Sequence, residues 1–524
     1  MSSDRILVVR AARIHTLDTQ RPHVECLAVR DGTIEATGSA DEIASRFGRS
    51  LEWLDVRPAV VLPGLTDSHI HLVEWALGLA LPDLAGMSGM NEVLAQVSRV
   101  AAASPREAWL EFRGWDPAWR TQAELSDLDD AAEGRALVLI AHDLHSGWLN
   151  SEAMRRLGVG PERTDPAGGF VERGPGGQPS GVLKERALDW WYQGKPQPTD
   201  AERRRAVLEG QAALHRVGVT AVQSVEAPES FRAVENLERA GELRLRVLHH
   251  LPQRYIDSLT ECGVISGFGG EWVRVGGIKY FTDGALGSRT AWMLEPYADS
   301  PTYGIRRLDA AEFAVDVERA ARAGLSATVH AIGDAAVRMT LDVLEKVGSK
   351  GLALPHRIEH LQCVHPEDVG RAAAAGIVAS MQPSHMLTDI RLAEERWGAE
   401  RERGTFALRS LAAAGTVLAF GSDAPVEAAD PREGFYGAVV RRDRGGYPDR
   451  GWNPEECLSG LEVLRAYTVG PAVAAGEAKR GRLAPGYSAD FAAWGTDLTT
   501  ASGEAILEAE VVATVVGGEL VYHA

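Results

Sequence analysis

Histidines and one aspartate recur at the ends of short apolar runs in this sequence. His69 and His71 stand together as His-Ile-His, and later runs end at His330, His360 and Asp423. Alternate residues of an extended segment point to one side, so the first two imidazoles can reach a single ion. Imidazole nitrogens with a carboxylate oxygen suit Zn²⁺, and also divalent Mn, Fe, Co or Ni. Each of these residues alone is more often structural, but their combination predicts a metal site.

A lysine closes another of these runs. Lys279 lies in Gly-Gly-Ile-Lys-Tyr-Phe-Thr-Asp-Gly, an apolar setting that is expected to lower the pKa of its amine. A neutral amine near two divalent ions can take up CO₂ and become a carbamate with two bridging oxygens. The alternative is an ammonium group paired with Asp283 or with a substrate carboxylate. The position of Lys279 alone leaves both interpretations open.

Eight apolar runs, each followed by polar residues, must position these side chains. Helical patterns at Ala310–Ala323, Asp334–Val347 and Pro366–Ala375 separate several of them. Strands that alternate with helices indicate a parallel sheet, and eight such units predict an α/β fold of the (β/α)₈ TIM-barrel type, with its site at the carboxyl ends of the strands. The runs are Ala59–Leu65, Val219–Val222, Leu245–Leu248, Val273–Ile278, Ala327–Val329, Arg357–Ile358, Ile377–Met381 and Val417–Phe420.

The remaining segments predict an insertion and a terminal domain. The connection from the first run to the second is too long for one helix and has its own strand pattern at Ala136–Ile140, so we expect an inserted subdomain at about 75–215 over the barrel mouth. Its Pro- and Gly-rich part, 165–179, is typical of loops and turns. Hairpin signals at Asp31-Gly32 and Gly517-Gly518 predict β-structure at both ends. We expect 1–60 and 476–524 to form one composite β-sandwich and 61–475 to form the barrel.

The composition of the chain indicates which binding partners and which cellular compartment to expect. The 524 residues carry 55 basic and 73 acidic side chains, a net charge of −18, which argues against nucleic acid or an anionic membrane as partner. The four cysteines are far apart, which excludes a disulfide framework and a cysteine zinc knuckle and fits a reducing compartment. Without a signal peptide or a long apolar run, we expect a soluble cytoplasmic protein that acts on a small molecule. Its oligomeric state is left open, with a homodimer as one option.

Several longer stretches resemble the amidohydrolase superfamily of metal-dependent hydrolases, in particular the branch (amidohydrolase family 3) that includes N-substituted formamide deformylase. The resemblance covers nearly the whole chain, and a further stretch in the insertion, Asp143-Leu-His-Ser-Gly-Trp-Leu-Asn-Ser, is similar to another motif of the branch. The main matching stretches are Val-Leu-Pro-Gly-Leu-Thr-Asp-Ser-His-Ile-His (61–71), Gly-Ile-Lys-Tyr-Phe-Thr-Asp-Gly-Ala-Leu-Gly-Ser-Arg-Thr-Ala (277–291), His-Ala-Ile-Gly-Asp (330–334), Arg-Ile-Glu-His (357–360), Gly-Ser-Asp-Ala-Pro (421–425) and Gly-Arg-Leu-Ala-Pro-Gly-Tyr-Ser-Ala-Asp-Phe (481–491).

The resemblance implies a role for each candidate ligand. One or two Zn²⁺ ions are implied per chain. His69 and His71 would bind the more buried metal and His330 with His360 the more exposed one, while carboxylated Lys279 would bridge them. Asp423 would bind the first metal and act as the catalytic acid/base. One motif departs from the family, because Asp143-Leu144-His145 stands where the family has Asp-Gly-His.

These features predict hydrolysis of a C–N bond in an amide, N-acyl or formamide-type substrate by metal-activated hydroxide, with Asp423 moving the proton. Alternatives are a cyclic amide, carbamate or ester hydrolase of the same architecture, a one-metal deaminase, and a non-catalytic binding protein, which should lack a ligand. The residues expected to contact substrate are His145, Trp115, Arg289 and Gln382. Candidates for a residue near the leaving group are His249, His250 and His385, and candidates for an apolar pocket are Trp75 and Trp148. The alternative for all five is a structural role.

Overall fold

The computed structural model describes residues 6–48, 51–84, 86–141, 146–166 and 169–524. The chain divides into two compact units, Met1–Trp75 with Val207–Ala524, and Ala76–Ala206. The first unit contains an eight-stranded parallel sheet and an eight-stranded sheet from both ends of the chain, and the second contains a five-stranded sheet. No helix among the described residues is both long enough and apolar enough to cross a membrane.

The strands and helices of the described residues are as follows. The strands are β1 (Ile6–His15), β2 (His23–Arg30), β3 (Thr33–Gly38), β4 (Leu51–Asp55), β5 (Val60–Pro63), β6 (Leu65–Ile70), β7 (Trp109–Trp115), β8 (Ala136–Ala141), β9 (Ser146–Leu149), β10 (Gly169–Arg173), β11 (Pro179–Glu185), β12 (Val219–Val225), β13 (Arg246–Pro252), β14 (Val273–Phe281), β15 (Ala327–Ala331), β16 (Arg357–His360), β17 (Val378–Met381), β18 (Leu418–Phe420), β19 (Phe491–Trp494), β20 (Val511–Val516) and β21 (Glu519–His523). The α-helices are α1 (Ala40–Phe47), α2 (Leu72–Gly78), α3 (Met90–Ala103), α4 (Leu125–Ala132), α5 (Ser151–Leu157), α6 (Asp189–Gly194), α7 (Asp200–Arg216), α8 (Pro228–Arg239), α9 (Ile256–Glu261), α10 (Ala310–Arg322), α11 (Asp334–Val347), α12 (Arg371–Ala375), α13 (Met386–Arg396), α14 (Ala399–Glu402), α15 (Leu408–Ala413), α16 (Pro431–Val439), α17 (Gly460–Ala466) and α18 (Val469–Ala474). Short 3-10 helices cover Pro117–Gln122, Gln253–Tyr255, Pro366–Asp368, Pro383–His385, Pro454–Glu456 and Gly503–Ile506.

The parallel strands of the first unit form the predicted (β/α)₈ barrel. They neighbour one another in the order β6, β12, β13, β14, β15, β16, β17, β18, so successive strands of the chain pair in space. Seven of the eight apolar runs coincide with strands of this sheet. Helix α10 shows why the intervening segments are helical, because the Asp309 carboxylate caps its first turn and its apolar stripe of Phe313, Val317 and Ala320 is buried. The predicted fold class is confirmed.

The first apolar run does not form the first barrel strand as predicted. Val60–Pro63 is β5 of the terminal sheet, and the barrel strand is β6, Leu-Thr-Asp-Ser-His-Ile. All six residues of β6 are buried, although four of them are polar. They are tolerated because the buried groups find partners, such as Ser422 for the Asp67 carboxylate and Glu359 for the His69 ring. A strand of this polarity has no apolar pattern by which it could be recognised.

The barrel closes between its first strand, β6, and its last, β18. Ile70 and Ala424 form a parallel bridge there. The His71 amide donates to the Ala424 carbonyl at 2.8 Å, and the Asp423 amide donates to the His69 carbonyl at 2.6 Å. The closing hydrogen bonds therefore come from the same residues that were predicted to bind metal.

The two ends of the chain pair into one sheet, as predicted. Strand β5 pairs in parallel with β1 and antiparallel with β19, which joins N-terminal to C-terminal strands. The hairpins β2–β3 and β20–β21 turn at the predicted Asp31-Gly32 and Gly517-Gly518. One core of this sheet combines residues of both ends, including Val9, Phe491 and Val515, and a second core packs beneath α1. Neither end has enough apolar surface for such a core alone.

The second unit contains a sheet in the order β10, β11, β9, β8, β7. Strand β8 coincides with the predicted strand at Ala136–Ile140 and is fully buried. The prediction of loop for 165–179 is wrong in part, because Gly169–Arg173 pairs with Pro179–Glu185 as a hairpin. The Pro and Gly residues between them form its turn, where the Gly174 amide donates to the Gln178 carbonyl.

A buried ion pair joins the terminal sheet to the barrel within the first unit. We expect its loss to lower the free energy of unfolding. The Asp490 carboxylate accepts from Arg246 Nε at 2.8 Å, Arg246 Nη2 at 3.0 Å and the Gly517 amide at 2.7 Å. Asp490→Asn removes the buried partner of Arg246 and leaves its charge only the exposed Glu271 at 2.8 Å, so it should lower the free energy of unfolding by about 3–5 kcal/mol, measured by urea denaturation. The control is Asp55→Asn, whose exposed partner is Arg57, and its midpoint should not move. Equal midpoints for both variants would contradict this role.

Candidate metal centre

The predicted ligands lie at the carboxyl ends of the barrel strands. His69, His330 and His360 belong to the ends of β6, β15 and β16, and Asp423 follows β18. One nitrogen each of His69 and His360 and one carboxylate oxygen of Asp423 lie within 4.8 Å of one another, and all three residues are buried. A cation enclosed by two imidazoles and a carboxylate fits this spacing.

The other two predicted histidines adjoin this group. His71 Nε2 and His69 Nε2 each lie 3.3 Å from Asp423 Oδ1. The ring centroids of His330 and His360 are 4.5 Å apart. The structure therefore brings together the predicted imidazoles from three barrel strands and the predicted aspartate.

Each histidine uses one ring nitrogen for an oxygen acceptor, which leaves the other nitrogen for a metal. His69 Nδ1 donates to Glu359 Oε2 at 2.5 Å and His71 Nδ1 donates to the Val225 carbonyl at 2.8 Å. His360 Nδ1 donates to Gln382 Oε1 at 2.8 Å, whereas His330 donates from Nε2 to the Gly284 carbonyl at 3.0 Å. Because these oxygens only accept, the donating nitrogen carries the proton. The second nitrogen of each ring can bind a metal in its unprotonated form, so the residues fit a divalent cation.

Lys279 is buried within the barrel without an ion pair. Its side chain is 3% exposed, and no carboxylate of the described residues lies within 4.0 Å of Nζ. Burial lowers the pKa of Lys279 to about 8, against the opposing charges of Glu359 and Asp423. The alternative pairing with Asp283 is absent, because that carboxylate accepts instead from the amides of Trp292, Ile332 and Gly333. The buried amine therefore loses its proton more readily than an exposed lysine does.

A buried Arg–Glu pair holds His69 in place. Glu359 is fully buried and accepts from His69 and from Arg357, whose guanidinium also donates to Ser380 Oγ and the Ser68 carbonyl. Burial opposes ionisation of Glu359, but the charge of Arg357, together with His69 and Lys279, outweighs it and holds the pKa of Glu359 well below its usual range. The carboxylate thus stays ionised and fixes the His69 ring with Nε2 toward Asp423.

A second carboxylate, Glu226, positions the His-Ile-His segment. It accepts from the amides of Val73 and Glu74 at the first turn of α2, and from Ser224 Oγ at 2.8 Å. It therefore satisfies amides that the helix itself leaves unpaired. Since Val225 accepts from His71, the end of β12 holds both the ring and the helix that follows it.

A third carboxylate, Asp67, ties the last strand to the first. Its Oδ1 accepts from the amides of His69 at 3.1 Å and Ser422 at 2.9 Å, and its Oδ2 accepts from Ser422 Oγ at 2.5 Å. A Cβ at Gly421 would lie 2.4 Å from the His69 amide, so only glycine allows this approach.

His360 and Asp423 both have a left-handed backbone, with φ of 68° and 59°. Such backbone costs about 1–3 kcal/mol, and histidine and aspartate are among the residues that adopt it most readily.

The sequence reasoning did not identify these supporting carboxylates. Glu359 and Arg357 stand two apart in a strand, so they share a face, and two opposite charges in a buried strand are a usable signal. Asp67 and Glu226 carry no such signal, because a lone acidic residue after an apolar run is common. Their partners are distant in the chain, and only the fold brings them together.

The structure gives most of the predicted substrate contacts partners within the protein. Trp115 and Trp148 have no exposed surface and lie in the core of the second unit, which fits packing rather than substrate contact. Arg289 is paired with Asp299, and Gln382 is buried as the acceptor for His360. His145 lies outside the described residues.

The three histidines considered for the leaving group, His249, His250 and His385, lie at different distances from the candidate metal centre. His249 and His250 are buried, and burial lowers the pKa of both, to about 4 for His249. His250 Nδ1 accepts from the Gly277 amide at 2.8 Å, a structural role inside the barrel. His385 is closer to the centre, with Nε2 3.8 Å from Asp423 Oδ2. The half-buried Trp75 lies on α2.

The chain is similar to known proteins along nearly its whole length. The amidohydrolase family matches residues 52–522. The N-substituted formamide deformylase of Arthrobacter pascens is 26% identical over 100% of this chain and 99% of its own length. Protein LONG AFTER FAR-RED 3 of Arabidopsis thaliana is 30% identical over 98% of this chain and 91% of its own. The structure of an uncharacterized metal-dependent hydrolase from Pyrococcus horikoshii has a TM-score of 0.80 at 25% identity and covers 95% of this chain and 98% of that one.

Removing the carboxylate that orients His69 should weaken metal binding. In Glu359→Gln the ring loses its anionic acceptor, and we expect the affinity for Zn²⁺ to fall about 10- to 100-fold, measured by competition with a chromophoric chelator. The matched control is Glu345→Gln, which removes a surface partner of Arg371 and should bind as the wild type does.

Gln382→Met tests the same principle at His360 without leaving a buried charge unpaired. It should also weaken Zn²⁺ binding while circular dichroism stays unchanged. Wild-type affinity in both site variants would show that these hydrogen bonds do not position the ligands.

Proposed function

The chain belongs to the amidohydrolase family of metal-dependent hydrolases that act on C–N bonds other than peptide bonds, and from that premise we propose that it hydrolyses an amide, N-acyl or formamide-type bond. One observation carries the proposal. The imidazoles of His69, His71, His330 and His360 each have one ring nitrogen engaged by an oxygen acceptor, and His69 and His71 present the other nitrogen to Asp423 Oδ1 at 3.3 Å. A non-catalytic binding protein with the same fold would not need all of these metal-binding side chains.

We assign the metal positions from these residues. His69, His71 and Asp423 would hold one cation, and His330 with His360 would hold a second, with zinc the best match to nitrogen and carboxylate donors. When bound, such ions polarise a carbonyl and lower the pKa of water toward about 7. The ligands come from separate strands of one barrel, so the positions are set by the sheet rather than by a flexible loop.

Lys279 would join the two positions as a carbamate. Its nitrogen would add to the carbon of CO₂ and lose one proton, which creates an anion with two oxygens. Three features support this: the side chain is buried, its pKa is lowered to about 8, and no carboxylate of the described chain pairs with Nζ. The unprotonated amine is the form that reacts with CO₂, and the lowered pKa increases its share at neutral pH.

Asp423 would move the proton. Its Oδ1 lies 3.3 Å from both His69 Nε2 and His71 Nε2, and its left-handed backbone turns the carboxylate into this space. It would accept a proton from the attacking water and return it to the departing nitrogen, which leaves poorly as an anion. His385 Nε2 lies 3.8 Å from the other oxygen of this carboxylate, Oδ2.

The substrate class rests on the relative from Arthrobacter pascens and on the ligand set. That relative is an N-substituted formamide deformylase and aligns over the whole chain. The test is a panel of formamides, N-acyl amino acids and aryl amides incubated with zinc-loaded protein, with release of the acid and the amine measured by chromatography. Release of ammonia from an amino-substituted ring, with no amide cleaved, would instead identify a deaminase.

Asp423→Asn should separate metal binding from turnover. Asparagine keeps the shape and one oxygen donor but cannot accept the proton, so we expect much of the metal to stay and kcat to fall about 100- to 10,000-fold. The control is Asp309→Asn at the start of α10, because asparagine caps a helix as well as aspartate does. Full activity of Asp423→Asn would refute its acid/base role.

Lys279→Ala should lower the metal content, measured by plasma mass spectrometry. Without the bridging anion, we expect fewer than the two ions per chain of the wild type. Acetate or propionate should restore part of the metal and of the activity. Lys346→Ala removes an exposed lysine and serves as control. Unchanged metal content in Lys279→Ala would support the ammonium interpretation.

A further inference from the structure

An exposed aromatic ring borders the candidate metal centre. Phe281 is the last residue of β14 and is 42% exposed. Its ring centroid lies 5.3 Å from that of His330 and 4.9 Å from Lys279 Nζ. A phenylalanine in this position covers no core and leaves apolar surface facing solvent beside the ligands.

An arginine that forms no ion pair with any residue the structure describes faces the same ring. Arg307 Cζ lies 5.6 Å from the Phe281 ring centroid. Its backbone amide donates to the Thr282 carbonyl at 2.9 Å, which fixes the residue beside β14. No carboxylate of the described residues lies within 4.0 Å of its guanidinium, whereas the adjacent Arg306 pairs with Asp309 at 3.5 Å and lies over Trp292.

The segment that carries Arg307 exposes further apolar surface. Tyr303 is 50% exposed and Ile305 is 48% exposed. The Ile305 amide donates to the Thr290 carbonyl, and the Tyr303 carbonyl accepts from the Met293 amide, so the segment is anchored along its length. Exposed apolar side chains that are clustered and held in place mark a binding surface more often than isolated ones do.

We propose that Phe281 and Arg307 form the subsite that selects the substrate of the proposed hydrolase. The ring would pack against an apolar substituent, and the guanidinium would bind a carboxylate of the same molecule through charge-assisted hydrogen bonds. The ligand class is therefore an anionic amide with an apolar side chain, such as an N-acylated amino acid. Cleavage of the amide bond in this ligand rests on the proposed function. Binding of the ligand to Phe281 and Arg307 does not.

Two pairs of probes that differ only in the carboxylate test the subsite. They are N-formylphenylalanine with N-formyl-2-phenylethylamine, and N-acetylphenylalanine with N-acetyl-2-phenylethylamine, with each amino acid assayed as both enantiomers. In Arg307→Met we expect kcat/KM for the anionic probes to fall about 10- to 100-fold, mostly through KM, with less than twofold change for the neutral probes. Arg306→Met, the neighbouring exposed arginine, should change neither.

Phe281→Ala should lower kcat/KM for both members of each pair, because the apolar contact is common to them. Its metal content must match the wild type, since the ring adjoins His330 and Lys279. An equal loss for anionic and neutral probes in Arg307→Met, or no loss at all, would overturn the inference.

A binding measurement separates failure of the subsite from failure of the proposed function. If the zinc-loaded wild type hydrolyses none of the probes, titration calorimetry with N-formylphenylalanine still reports the subsite. Binding that Arg307→Met weakens and Arg306→Met does not would support the subsite and count against the proposed reaction. No binding to the wild type, or equal binding to both variants, would overturn the subsite.

Discussion

The closing contact between the first and last barrel strands is the constraint on which the site depends. Asp67 holds Ser422 and the His69 amide on one carboxylate, and Asp423 donates its amide to the His69 carbonyl. Residues that are more than 350 positions apart are thus hydrogen-bonded neighbours. Burial raises the pKa of Asp67 to about 6, which shows how little solvent reaches this contact. The placement of His69 beside Asp423 follows from barrel closure and not from local sequence.

A second layer of buried polar groups makes the ligands rigid. Arg357 and Glu359 occupy the barrel interior where aliphatic side chains would be less costly to bury. Their cost is offset because the guanidinium has several oxygen acceptors, and the carboxylate satisfies both Arg357 and His69. Such a network can adopt few other arrangements, which keeps the imidazole in one orientation and one tautomer.

The predictions succeeded where short-range pattern and side-chain chemistry agree. Apolar runs ending in polar residues correctly indicated seven barrel strands, and α11 begins and ends as predicted. The first barrel strand was missed because tertiary hydrogen bonds, not apolar residues, make β6 suitable for burial. Trp115 was assigned to a pocket on residue type alone, and the structure shows it packed in a core. Large aromatic side chains serve both purposes, so their type does not distinguish them.

The sequence by itself determined the kinds of ligand, their order along the chain and their places at the ends of strands. Those properties follow from residue chemistry and from the periodicity of strands and helices, which are local. Only the tertiary structure decided which nitrogen of each histidine donates to an oxygen acceptor, that Lys279 forms no ion pair with the described residues, and that Arg307 faces the ring of Phe281. The physical reason is that a hydrogen bond or an ion pair needs atoms within about 3–4 Å. Whether residues far apart in the chain come that close depends on how the sheet closes.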